Sequence, residues 1–317
     1  MGDYTTKRPS TRERIKLSPV KNSSPTVGTS SSSLWKKHRG ELAVTLPSLA
    51  WLSFFVIVPA VLIVILSFRS PDSSGGIGEG WTFRNWACWL KPDVHRLAWN
   101  TFWLSGLTTA LCVLVSIPIA WLMAHLSSSW KRALLLLFII PFWTNFLIRV
   151  FAWKILLNHD GLITRMAQAL GLLSDQDTLL YNSGAVLLVL VYTHLPFAIL
   201  PIYAAAEKFD FSLLDAARDL GANAARSFFF VFLPGVRTGL AAGAIMVFVP
   251  ALGSYLIPEL VGGHQSDMLG NRISQRALSD RNLPEASALA SGITLAVVAA
   301  SFLIWAVLNR GRRRSRK

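Results

Sequence analysis

Six apolar runs, at about 44–68, 101–125, 132–157, 184–206, 239–261 and 286–308, constrain this chain more than any other feature. Each reaches the ~20 residues that an α-helix needs to cross the hydrocarbon of a bilayer. Inside that hydrocarbon every backbone N–H and C=O must be satisfied within the segment, so helices are the form these runs can take. Of the 317 residues 52% are hydrophobic and 15% charged, more apolar surface than a soluble core of this size uses. The chain therefore reads as an all-α, polytopic membrane protein with six transmembrane helices. The first run starts after about forty polar residues and is too long for the h-region of a signal peptide, so it reads as a retained helix.

Charge then orients the helices. The formal net charge of +14 would suit nucleic acid only if the basic residues formed a stripe on a soluble fold with stacking aromatics. Instead 15 of the 31 Lys and Arg residues lie in the two tails, nine within residues 1–43 and six within 309–317, so no nucleic-acid partner is expected. Six spans place both termini on one side. The segments on that side carry 21 Lys and Arg residues and those on the other side eight, so the positive-inside rule predicts cytoplasmic termini and a cytoplasmic loop at 207–238.

Composition divides the chain further. Residues 1–40 form a basic tail rich in Ser, Thr and Pro with too few apolar residues to offset ordering entropy, and are expected to be disordered. Residues 41–98 hold the first transmembrane helix and an outer loop opened by the flexible run Ser73-Ser74-Gly75-Gly76; 99–308 form the core membrane domain, and 309–317 a second basic tail. Trp81, Trp86, Trp89, Trp99 and Trp103 crowd the approach to the second span, as an interfacial belt does. Prolines recur inside the spans (Pro47, Pro59, Pro118, Pro141, Pro196, Pro201, Pro250, Pro258), each removing a backbone donor and predicting a bent helix. Cys88 falls in the outer loop and Cys112 in an apolar helix, so neither a disulfide framework nor a Cys metal site is expected.

The 207–238 loop carries the most specific pattern: Asp215-Ala216-Ala217, three residues, Gly221, nine residues, then Val231-Phe232-Leu233-Pro234. Ser212-Leu213-Leu214-Asp215 has the spacing of a capping box, which places Asp215 in a first helical turn where the dipole favours a carboxylate. Gly221 stands where that short helix would end or turn sharply. A second short helical segment, 222–232, would run to Pro234, giving a compact knob held at both ends by membrane spans.

At these residues the chain resembles the inner-membrane permeases of ABC importers, whose signature has an acidic residue, Ala-Ala, three residues, Gly, nine residues and Ile-x-Leu-Pro. Asp215 stands for the usual Glu and Val231 for Ile. Within that family the chain is similar to the spermidine/putrescine branch. The similarity lies at Pro141-Phe142-Trp143-Thr144-Asn145-Phe146-Leu147-Ile148-Arg149-Val150, at Val191-Tyr192-Thr193-His194-Leu195-Pro196 and at Ile257-Pro258-Glu259-Leu260-Val261-Gly262-Gly263, and it runs from about residue 40 to 308. Ser254 departs from it, where polyamine permeases often carry an acidic residue, so another organic amine, opine-type compounds included, stays open as cargo.

The resemblance implies a type I ABC-importer permease fold in a bacterial inner membrane, with a cytoplasmic coupling helix. It gives Asp215, Ala216, Ala217, Gly221, Leu233 and Pro234 the role of docking to the ATPase. It also implies two ATP-binding subunits, a second permease chain related to but different from this one, an extracytoplasmic solute-binding protein and the lipid bilayer as partners. No G-x-x-x-x-G-K-[ST] occurs, so ATP and Mg²⁺ are expected on the partner subunits, with no cofactor or metal on this chain.

For a polycation, a membrane passage needs carboxylates to offset desolvated ammonium groups and aromatic faces for cation–π contact. Glu259, the one carboxylate inside the six runs, lies four residues from Tyr255 and so on one helical face with it. Phe142, Asn145 and Arg149 form a stripe at i, i+3 and i+7, with Trp153 beyond. The expected pathway residues are Trp143, Asn145, Arg149, Tyr192, Tyr255 and Glu259. Arg149 either pairs with Glu259 to fix packing or orients it toward the passage. Two other classes were weighed. An ion-driven secondary transporter should show inverted repeats and midplane charge, which this chain does not. An intramembrane serine protease built on Ser254 and His125 or His194 lacks the second glycine of such motifs after Gly253-Ser254.

Overall fold

The computed structural model of the protein describes residues 2, 31–72, 76–174 and 176–314, with side chains for 45–72, 76–174, 176–263 and 265–299. The chain separates into two units, residues 1–58 and 59–317. The first holds most of helix α1 (Ser31–Ser67), which begins ten residues inside the segment expected to be a disordered tail. Residues 3–30 and 315–317 of the two tails, and Ser73, Ser74 and Gly75 of the outer loop, lie outside the described residues.

In the second unit, strands β1 (Arg69–Pro71) and β2 (Ile77–Trp81) pair antiparallel with Arg69 opposite Trp81, a small hairpin added to the expected all-helical fold. A 3₁₀ turn (Arg84–Leu90) leads to α2 (Pro92–His125), which starts well before the predicted residue 101. Then come α3 (Ser128–Trp143), α4 (Phe146–Leu157), α5 (Leu162–Ala169) and α6 (Ser183–Glu207). The 207–238 segment forms α7 (Ser212–Asp219), α8 (Ala224–Ser227), a π turn (Phe228–Phe232) and α9 (Leu233–Gly235). Beyond it lie α10 (Arg237–Leu252), α11 (Leu256–Val261), α12 (Leu269–Ser274), a second π turn (Gln275–Ser279) and α13 (Leu283–Arg314).

Among the described residues, Thr45–Ser67, α2 and α6 are each long and apolar enough to cross a membrane. Two bent pairs reach that length and apolarity only when each is counted as one: α3 meets the helical stretch 146–169 at 93°, and residues 224–235 meet α10 at 67°. The sixth expected run lies in α13, whose described side chains end at 299. The proline expectation needs correcting by position. α2 and α6 run on through Pro118, Pro196 and Pro201, while breaks fall after Pro141 and between Pro250 and Pro258.

The break after Pro141 has a local cause. Thr144 donates its backbone N–H (3.3 Å) and its hydroxyl (2.6 Å) to the Pro141 carbonyl, and Asn145 then caps α4 by accepting the Leu147 N–H at 2.8 Å. At the second break Pro258 has no N–H to continue the ladder back to Ser254, and the Tyr255 carbonyl accepts both the Glu259 N–H at 3.0 Å and the Asn271 amide at 2.9 Å.

The bundle centre is α2, α6 and α10. Gly239 and Gly243 of α10 let its backbone approach α6: a Cβ on Gly239 would meet Ala205 Cβ at 2.5 Å and the Pro201 carbonyl at 2.7 Å. Small residues four apart are how membrane helices approach closely when lipid offers no hydrophobic drive.

Candidate functional site

The 207–238 segment is a knob clamped by aromatic packing. Trp121, near the C-terminal end of α2, meets Phe232 (ring centroids 4.5 Å), Phe228 (5.2 Å) and Phe211 (5.7 Å) edge to face. Phe209 meets both Phe211 and Phe232 at 5.3 Å. His125 meets Phe211 edge to face at 4.5 Å, with its Nδ1 2.8 Å from the Trp121 carbonyl. The π turn brings Phe228 and Phe232 into a stack 5.4 Å apart. Phe232 is fully buried with Leu214, Val236, Ile202 and Ala206. A buried phenylalanine contributes about 1.5–3 kcal/mol, so this cluster fixes the knob to α2 and α6.

Gly221 does what its position predicts. It takes φ +90°, its N–H donates to the Arg218 carbonyl (2.9 Å) and the Ala222 N–H donates to the Ala217 carbonyl (3.0 Å), a complete Schellman closure of α7. The capping box does not form. Ser212 is already helical, and it is Asp210 whose carboxylate accepts the Ser212 N–H at 3.0 Å. Asp215 instead receives Arg218 Nη1 at 3.4 Å and is exposed, as is Ala216, while Ala217 is half-buried. Leu233 packs against the core and Pro234 is exposed in the short α9. On the solvent side the knob exposes Leu213, Leu220 (89%), Phe229 and Phe230 (77%), an apolar face beside Asp215 and Ala216.

The far end of α2 is built differently. With 34 residues this helix is about 50 Å long, and its N-terminal turns border a cavity of about 880 Å³ lined by Asp93, Arg96, Tyr181, Glu259, Asn271 and Arg272 among others. Arg272 pairs with Asp93 in its lining, and nearby Lys91 pairs with Glu285 (3.3 Å) and Arg276 with Asp280 (2.9 Å) and Glu285 (3.6 Å). Trp86 and Trp89 depart from the interfacial belt. Trp86 stacks on Phe68 at 5.8 Å and Trp89 donates Nε1–H to the Ala288 carbonyl of α13, while Trp81, Trp99 and Trp103 stay exposed. Cys88 and Cys112 are free and buried, and burial, with Glu285 nearby, pushes the Cys88 thiol up to about 11.

The expected pathway residues divide between this cavity and the α3–α4 break. Glu259 and Tyr255 are both exposed, but Tyr255 precedes α11 rather than lying on it, and only the backbone bond from Glu259 N to the Tyr255 carbonyl keeps the i, i+4 relation. The Asn271 amide donates to Glu259 Oε2 at 2.9 Å. No ion pair joins Glu259 to Arg149 among the described residues, so of the two alternatives for Arg149 the direct pairing is not formed.

Nor do Phe142, Asn145 and Arg149 share one straight helix, because Asn145 is the cap at which the span bends. The bend still brings Arg149 over two rings, with Cζ 5.0 Å from the Phe142 centroid and 5.9 Å from that of Phe146. Tyr192 meets Trp153 edge to face at 5.3 Å, and Trp143 stands 89% exposed at the apex of the bend. His194 is turned back to the Leu190 carbonyl at 2.8 Å. Among the described residues no group of three His, Cys, Asp or Glu side chains could hold a metal ion.

The aromatic clamp was missed by sequence reasoning, although Phe209, Phe211, Phe228, Phe229, Phe230 and Phe232 within one polar loop were a signal for it. A bent helical bundle with such a knob defines a class, the membrane subunits of binding-protein-dependent importers. Residues 116–316 match the family described as binding-protein-dependent transport system inner membrane component, and the chain belongs to that family. It is thus a multi-pass permease subunit of an ABC importer, a transport component and not an enzyme.

Among its relatives is the spermidine/putrescine transport system permease protein PotB of Haemophilus influenzae, 38% identical over 82% of this chain and 92% of that protein. PotB of Escherichia coli is 33% identical over 80% of this chain and 92% of its own length. A solved bacterial ABC transporter involved in the import of the acidic polysaccharide alginate shares the fold, with a TM-score of 0.63 and 21% identity, covering 89% of this chain and 99% of that one.

Proposed function

We propose that this chain lines the passage for polyamines, spermidine and putrescine or a related organic amine, through a bacterial inner membrane. The observation carrying the proposal is the 38% identity, over most of both chains, to a spermidine/putrescine permease. The chemistry agrees with it. Glu259 keeps a carboxylate at the edge of an aqueous cavity with one oxygen held by Asn271, which leaves the other for an ammonium group.

In this reading both termini and the knob are cytoplasmic, and two ATP-binding subunits seat on Leu213, Leu220, Phe229 and Phe230 around Asp215, Ala216 and Gly221. Leu233 and Pro234 end the knob. A second permease chain completes the passage, and a solute-binding protein delivers cargo at the Asp93–Arg272 end. ATP and Mg²⁺ act on the partner subunits, whose closure moves the knob and, through the aromatic clamp, α2 and α6. The cargo and the nucleotide bias a two-state element rather than a chemical step.

Uptake of radiolabelled spermidine into cells lacking the chain tests this. Restored uptake on complementation, competed by putrescine, is expected, with Glu259→Gln cutting it at least about tenfold as the loss of one charged hydrogen bond requires. Complementation that restores uptake of a non-amine solute and not of spermidine would overturn the cargo.

A further inference from the structure

Arg149 is an anomaly in a passage for cations. A fixed guanidinium at membrane depth repels a permeating cation, and in a transmembrane segment it is disfavoured unless it faces protein or water and finds a partner. Within this chain it finds no acid. No carboxylate lies within ion-pair distance of it among the described residues, Glu259 is engaged by Asn271, and Arg149 Nε is buried with no hydrogen-bond acceptor. What holds the guanidinium is aromatic: Phe142 at 5.0 Å and Phe146 at 5.9 Å.

Phe142 is itself fixed edge to face on Phe197 of α6, with centroids 4.9 Å apart. The two caging rings flank the break, one from the last turn of α3 and the other from the first turn of α4, so the cage exists because the span bends there. A pair of rings over a cation is also the arrangement that binds alkylammonium ligands. The guanidinium therefore occupies the kind of place an ammonium group would take.

We propose that Arg149 is a selectivity gate. Its caged positive charge keeps small monovalent cations out of the passage, and an alkylammonium cargo passes by replacing the guanidinium over the Phe142 ring. A single charge in a confined passage suffices for such exclusion, as arginine does in pores that reject cations. A small inorganic ion gains little from the rings to offset the repulsion, whereas an alkylammonium group brings a methylene stem that packs on them. Both roles rest on the proposed function, in which Arg149 lines the passage, but the exclusion of small cations does not depend on which solute is the cargo.

The test uses the complete importer with its partner subunits in proteoliposomes, under a potassium gradient without cargo or ATP, read by a potential-sensitive dye. Wild type and Arg149→Lys, which keeps the charge, should both be tight. Arg149→Gln should leak potassium at least about tenfold faster, since one unit charge a few ångströms away changes cation occupancy by that factor or more. Phe142→Leu, which keeps the charge and loosens the cage, should leak at an intermediate rate. Arg149→Gln vesicles as tight as wild type would overturn the gate. If that variant does not assemble, Phe142→Leu decides: a leak supports the gate and tightness overturns it. Failure of the wild type to take up spermidine would sink the cargo assignment and leave the leak comparison standing.

Discussion

The two ends of α2 are held by different mixtures of contacts, aromatic at one and ionic as well as aliphatic at the other. At the Trp121 end the knob is fixed by rings and aliphatic side chains, with ion pairs of Asp215 to Arg218 and of Glu207 to Lys131 at its margin. At the Asp93 end Val94 and Leu97 pack with Leu269, Ala288 and Leu289, and the Arg272–Asp93 and Lys91–Glu285 pairs add ionic ties to α12 and α13. Apolar packing is short-ranged and insensitive to salt, so it passes displacement as a stiff joint does. Exposed ion pairs contribute little and yield to salt and to competing charges. On the proposed function, the first end is the lever and the second the adjustable mouth.

That contrast can be broken by substitution. Trp121→Ala removes the ring on which Phe211, Phe228 and Phe232 converge and should cost about 3–5 kcal/mol, seen as a lowered Tm in detergent that does not change with added salt. Gly221→Ala keeps the clamp but puts a Cβ at φ +90°, so a loss of about 1–2 kcal/mol is expected, with the knob the first part to exchange amide hydrogen. Asp93→Asn breaks the pair with Arg272, whose side chains are 43% and 25% exposed, and should cost less than about 1 kcal/mol. That last difference should disappear in high salt. A salt-sensitive Trp121→Ala, or an Asp93→Asn as damaging as Trp121→Ala, would erase the distinction between the ends.

Much of this was legible in the sequence. The apolar runs marked the helices because membrane spans are set by length and apolarity alone, and the Asp-Ala-Ala, Gly and Leu-Pro spacing marked the knob. Gly221 was readable because only a left-handed turn at that distance closes α7. The breaks were half readable. Eight prolines announced bends, yet the helical ladder of α2 and α6 runs through theirs, and the break after Pro141 depended on the neighbours Thr144 and Asn145 that serve its backbone groups.

Pairing of Arg149 with Glu259 was one of two readings the sequence left open. It does not form: across the 93° bend Arg149 lies over Phe142 and Phe146, and Asn271, twelve positions from Glu259 in the chain, holds its carboxylate. The Gly239 and Gly243 approach to α6 was written in the sequence as two small residues four apart, and needed only to be looked for.

The central claim is that the clamped knob is where the nucleotide-driven subunits act. A photo-crosslinking residue in place of Leu220, 89% exposed at the end of α7, tests it most directly in the assembled importer in its native membrane. The account predicts a crosslink to an ATP-binding subunit whose yield changes when ATP is added. A crosslink to lipid or to an extracytoplasmic protein, with none to an ATP-binding subunit, would contradict it.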